Sequence, residues 1–241
     1  MRPPGGERPL RLLHLSDLHA SWAISLEFSQ EAINLGLREK PDLICVTGDF
    51  ITTQYSAFDA YARLLAQLPA AAPTFACLGN HDGGTWAGEH GGYKTTVPVG
   101  EMLKQSGIEV LRNRWTSIRL QDREIKLIGL PDIWSEGVNP ARAFPAPNRA
   151  DPALRIVLSH NPDTKDDFRP FQWDLLLSGH THGGQVVLPL LGTPFAPVKD
   201  KRFIAGLYSW ENRWIHITKG VGNVHGLRLN CPPEISILTL L

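Results

Sequence analysis

The chain has 241 residues, 42% hydrophobic and 20% charged, an ordinary composition for a soluble globular protein with one sizeable core. Its 24 basic and 24 acidic residues cancel, so no large basic footprint for nucleic acid is expected. Three cysteines, an odd number, argue against a disulfide framework and read as buried thiols.

Residues 10–15 read as a strand ending at Asp17, and residues 25–39 as a helix with Leu26, Ile33 and Leu37 near one face. Residues 43–47 form a buried strand ending at Gly48-Asp49, residues 57–68 a second helix, and residues 74–78 a third strand ending at Gly79-Asn80-His81. This alternation predicts parallel β-α-β units. The second half is richer in strands, expected at 124–130, 154–159, 174–178, 185–190, 203–209, 213–218 and 234–240, with short helices at 98–106 and 162–168. Three segments read as loops: the glycine-rich 83–97, the proline- and arginine-bearing 131–152, and 189–202.

Polar motifs follow the apolar runs: Asp17-Leu18-His19, Gly48-Asp49, Gly79-Asn80-His81-Asp82, His160 and Gly179-His180-Thr181-His182-Gly183-Gly184-Gln185. Strand ends are where open α/β sheets bind ligands. Asp17 and His19 are two residues apart, as are His180 and His182, so each pair faces one side of an extended segment. Two carboxylates, an amide and several imidazoles suit two adjacent divalent ions, and a metal pair activates water for attack on phosphorus. Mixed nitrogen and oxygen ligation fits Mn, Fe, Zn, Co or Ni. His14, His216 and His225 read as packed or surface residues instead.

This ordered set resembles the calcineurin-like metallophosphoesterase superfamily over residues 10–241, with 1–9 as a flexible N-terminal segment. The Gly-His-Thr-His-Gly-Gly-Gln run, the tail from Gly222-Asn223 to Glu234, and the stretch Ala72 to Asp82 resemble the small bacterial YaeI/YkuE-type phosphodiesterases. The resemblance implies a four-layer α/β/β/α sandwich of two mixed sheets flanked by helices, in one domain. It also implies two metal sites: Asp17, His19 and His182 for the first ion, Asn80, His160 and His180 for the second, and Asp49 bridging both. A metal-bridging hydroxide would be the nucleophile, with His81 beside the leaving group. Asp82 and Arg228 are further candidates at the substrate, although Asp82 reads first as a cap on the next segment.

The residues after Asp49, Phe50-Ile51-Thr52-Thr53, lack the Asp-Arg-Gly motif of the superfamily's protein phosphatases. A dianionic monoester would be less well compensated without that arginine, so a small-molecule phosphodiester is the favoured substrate. The loop Pro189 to Pro197, followed by Lys199-Asp200-Lys201-Arg202, reads first as a packed loop with a solvated charged end. Its second reading is a hydrophobic lip for an acylated substrate or a membrane surface. That keeps in play the related UDP-2,3-diacylglucosamine pyrophosphatases, which act on a nucleotide sugar, while a scaffold without activity would show lost ligands. No stretch approaches the roughly 20 apolar residues of a membrane span. Met1 to Gly6 carries no apolar signal core, so the expected location is the cytoplasm, with peripheral contact at the inner membrane.

Overall fold

The structure, a computed structural model, describes residues 8–148 and 150–241. The expected flexible segment 1–9 falls largely outside them; Arg8, within them, pairs with Asp42. The first half runs β1 (Leu10–Leu15), α1 (Leu26–Arg38), β2 (Leu43–Thr47), α2 (Phe58–Leu65), α3 (Gln67–Ala71), β3 (Thr74–Cys77), α4 (Thr85–Glu89), α5 (Val97–Gln105) and β4 (Glu109–Val110). The second half runs β5 (Arg114–Leu120), β6 (Arg123–Gly129), α6 (Pro140–Ala143), β7 (Leu154–Leu158), β8 (Leu175–Ser178), β9 (Gly206–Trp210), β10 (Arg213–Ile217) and β11 (Ser236–Leu240).

These strands form two mixed sheets, ordered β11-β1-β2-β3-β4 and β5-β6-β7-β8-β10-β9. In the first, β1, β2, β3 and β4 are parallel and β11 returns antiparallel to β1. In the second, β6, β7, β8 and β10 are parallel between antiparallel edges β5 and β9. Successive side chains point to opposite faces, so a strand covered on both sides is apolar throughout. Leu13, Leu15, Ile44 and Val46 thus join a core with the helices, while Leu12, Leu43, Cys45, Ile156 and Leu177 fill the space between the sheets. Val157, Leu176 and Ile215 point outward under Phe144, Phe168 and Trp173. That outer layer holds little helix: α6 is four residues long and Pro162–Asp166 is a 3-10 turn.

His14 falls on the inter-sheet face of β1. Its Nδ1 lies 2.9 Å from Nδ1 of His216 on β10, and its Nε2 lies 2.8 Å from Thr47 Oγ1. Both histidines are packed, as the sequence suggested, and together they join the two sheets.

The strand expected at 185–190 is absent. Gly183, Gly184 and Gln185 all have positive φ, which turns the chain out of any ladder; only the bridges Val186–Leu229 and Leu188–Gly192 remain. The expected loop at 83–97 contains α4, and β4 and β5 were not anticipated. β5 alternates exposed and half-buried residues at a sheet edge, so it shows no continuous apolar run. No helix among the described residues is long and apolar enough to cross a membrane.

Candidate metal centre

Three adjacent parallel strands of the first sheet and two of the second end at one place. β1, β2 and β3 lead into Asp17 and His19, Asp49, and Asn80; β7 and β8 lead into His160, and His180 with His182. β2 packs against β7 and β8, so the two sets of tips meet. All seven residues are buried. Five of them, Asp17, His19, Asp49, His180 and His182, have φ between 49° and 67°. Such a conformation costs a non-glycine residue about 1–2 kcal/mol, and it persists where surrounding contacts enforce it.

Ligand-type atoms form three overlapping groups, each within 4.8 Å: Asp17, His19 and His182; His19, Asp49 and His81; Asp49, His160 and His180. Asp17 Oδ1 lies 3.4 Å from His182 Nε2 and 3.9 Å from His19 Nε2. Asp49 Oδ2 lies 3.5 Å from His19 Nε2 and 3.0 Å from His160 Nε2, facing both sides at once. Its other oxygen, Oδ1, accepts a hydrogen bond from His81 N (2.9 Å).

Hydrogen bonds at the far ring nitrogens set which nitrogen faces inward. His160 Nδ1 donates to Thr47 O (2.6 Å), and His180 Nε2 donates to Pro197 O (3.2 Å). The Thr52 hydroxyl donates to His19 O and so accepts from His19 Nδ1, each at 3.2 Å. His180 Nδ1 therefore presents a lone pair to Asn80 Oδ1, another acceptor, 3.0 Å away. His160 Nε2 is buried without a hydrogen-bond partner, close to Asp49 but not aligned with it. Acceptors facing acceptors and an orphaned ring nitrogen, all out of water, are what a cation resolves. The donor set fits a pair of divalent ions.

The electrostatics set three of the four imidazoles apart from His160. Burial, reinforced by neighbouring imidazoles, keeps His19 and His180 well below the ordinary histidine range, and burial together with Arg228 lowers His182. That favours the neutral form that metal ligation requires. Burial opposes charge on Asp49, but His160 and His81 outweigh it and hold the carboxyl well below its usual value. Burial likewise opposes charge on His160, yet Asp49 and Asp17 raise it above the ordinary range.

The other predicted residues are placed differently. Asp82 is fully buried, and its carboxylate accepts from the backbone N–H groups of Asp49, Phe50 and Gly79 at 2.7–2.8 Å. Burial and the nearby Asp49 push its pKa up to about 8. Arg228 is also committed elsewhere. One guanidinium nitrogen donates to Lys219 O, Gly220 O and Gly222 O and the other to His182 O, clamping two loops together. In both cases a charged side chain near a site is engaged by backbone groups that sequence does not reveal. His81 is half-buried, and its Nδ1 donates to Thr52 O (2.6 Å), leaving Nε2 free.

A cavity of about 430 Å³ opens over the cluster. His225, read from sequence as unremarkable, lines it, as do Trp86, Trp134, Phe195 and Pro197. Trp86, on α4, and Trp134 come from two of the three segments that the sequence marked as loops around a site.

Fold and site together define a metallophosphoesterase. The calcineurin-like phosphoesterase family matches residues 10–184, and the chain belongs to that family, whose hydrolysis of phosphoesters depends on a dinuclear metal centre. The chain is 45% identical to phosphodiesterase YaeI of Escherichia coli K12, covering 97% of this chain and 83% of the relative. It is 32% identical to the uncharacterized metallophosphoesterase YkuE of Bacillus subtilis, over 98% of this chain and 81% of the relative. UDP-2,3-diacylglucosamine pyrophosphatase LpxG of Chlamydia trachomatis is 26% identical, over 96% and 84%.

Proposed function

We propose that residues 10–241 act as one catalytic domain that hydrolyses phosphodiesters. In this reading Asp17, His19 and His182 hold one first-row divalent ion, Asn80, His160 and His180 hold a second, and Asp49 is shared. The supporting observation is the convergence of these buried ligands, with acceptors facing acceptors, from distant strand ends. When bound, the ions supply a water-derived nucleophile near neutral pH and positive charge for the phosphoryl oxygens.

The chain's own residues do the rest. Asp49 Oδ1 is held by His81 N, so Oδ2 faces the space between the two ligand sets. With Nδ1–H held by Thr52 O, the doubly protonated His81 ring would give its Nε2 proton to the departing oxygen and become neutral. None of the described residues lining the cavity is Lys or Arg. That favours a monoanionic diester over a dianionic monoester, and the name of the 45% identical relative points the same way.

Two variants test this. Asp49→Ala should lose at least one ion by elemental analysis and lower kcat by a factor of a thousand or more; full activity with both ions retained rejects the shared role. His81→Ala should slow diesters with alkyl leaving groups by roughly 10²–10³ while sparing activated aryl esters, the range of general acid catalysis. Equal slowing of both classes rejects the acid assignment.

A second reading is a nucleotide-sugar pyrophosphatase acting on an acylated substrate, as the name of LpxG suggests. The observation in its favour is a loop of solvent-facing apolar residues, Leu190, Leu191 and Phe195, of which Phe195 lines the cavity and is 71% exposed. Activity on an acylated nucleotide sugar that requires detergent or vesicles would favour it.

A further inference from the structure

We propose that Trp86 and Trp134 form a subsite for a flat aromatic group carried by the phosphoester, on the side of the metal centre where the leaving group departs. This deepens the phosphodiesterase reading and rests on it.

Both indoles line the cavity. Trp86 stands edge to face with His81, ring centroids 4.5 Å apart, so it borders the residue assigned to the leaving oxygen. Trp134 meets His180 in the same way, also at 4.5 Å. The two indoles are 6.1 Å apart and inclined by 33°, forming a continuous wall. Trp134 remains 38% exposed, an unfilled aromatic surface beside the reacting centre.

The wall is braced before any substrate arrives. His90 stacks on Trp86 at 4.1 Å and donates through Nδ1 to Trp86 O. Trp134 N donates to Asp132 Oδ1 (2.8 Å), while Ser135 N and Glu136 N donate to Asp132 O, closing a tight turn. Thr85 N donates to Ser135 O, and Ser135 Oγ to Asn80 O, tying that turn to α4 and to the metal centre. Rigid aromatic surfaces lose little entropy on binding, so contact area becomes affinity. Phe195, Val186 and Val224 also line the cavity and extend its apolar surface, with Gln185 and His225 as polar neighbours.

The test uses the metal-loaded full chain titrated with phenylphosphonate and with methylphosphonate, followed by calorimetry and tryptophan fluorescence. Phenylphosphonate should bind roughly tenfold tighter, the size of one aromatic stack. Trp134→Ala should erase that preference while leaving methylphosphonate affinity and metal content unchanged, and Trp134→Phe should keep most of it. Equal affinity for both ligands in the wild type, or equal loss of both in Trp134→Ala, overturns the proposal. Discrimination without diester turnover would reject the phosphodiesterase reading and leave the subsite standing; turnover without discrimination would reject only the subsite.

Discussion

Gly179 lacks a side chain because Asp17 occupies the space one would take. A Cβ built there would overlap Asp17 Oδ2 and Ser16 Oγ. Gly79 stands in the same relation to Asp49 Oδ1. The glycines that open the Gly-Asn-His-Asp and Gly-His-Thr-His motifs thus serve the carboxylate of a neighbouring strand as much as their own turn. Gly179→Ala is expected to displace the Asp17 carboxylate, weaken metal binding at least a hundredfold and cost about 2–3 kcal/mol of stability from overpacking. Elemental analysis with urea denaturation checks both; a variant retaining two ions removes the argument. The positive-φ conformations of Asp17, His19, Asp49, His180 and His182 belong to the same scale, aiming each side chain away from its strand's own direction.

At the level of elements, the segment after β2 is held by the segment after β3. Asp82, in the 3-10 turn Asn80–Asp82, accepts four backbone N–H groups, three of them from Asp49, Phe50 and Ile51. The loop carrying Asp49 is thereby fixed with no bond to the Asp49 side chain itself. Asp82→Asn offers one acceptor oxygen where two are used, and its amide N–H₂ would confront a backbone donor. The expected loss is about 2–4 kcal/mol, from buried donors left unsatisfied, together with at least tenfold weaker metal binding. Chemical denaturation and metal titration measure these, and unchanged metal affinity would separate Asp82 from the site. The motif as a string read first as a cap on the next segment; the element shows that the residue also braces the loop after β2.

Across the whole molecule, the two sheets meet through an apolar seam interrupted by His14 and His216. Burial holds both imidazoles below their ordinary range, His14 well below it and His216 down to about 4. For a histidine with a depressed folded pKa, the unfolded chain binds the extra proton first. Stability is then intact above pH ~6.5 and is lost as pH falls towards 4, up to about 3 kcal/mol for His216. Chelator-treated wild type should lose stability over that range more steeply than His216→Gln, as measured by urea midpoints. Parallel curves for the two proteins would exclude His216 from the acid response.

The β-α-β alternation and the strands leading to Asp17, Asp49, Asn80, His160 and His180 were legible in the sequence, because a strand buried on both faces is written as an unbroken apolar run. The candidate metal-ligating residues were legible for a related reason: each motif follows its strand directly, and local order survives folding. The fates of Asp82 and Arg228, the loss of the strand at 185–190, the His14–His216 seam and the wall of Trp86 and Trp134 were not. Each depends on which partner lies across a gap of many residues, and on whether a backbone N–H, a carbonyl or a second ring arrives there. Local pattern records how a segment is buried, whereas only the packed sheets decide what it is buried against.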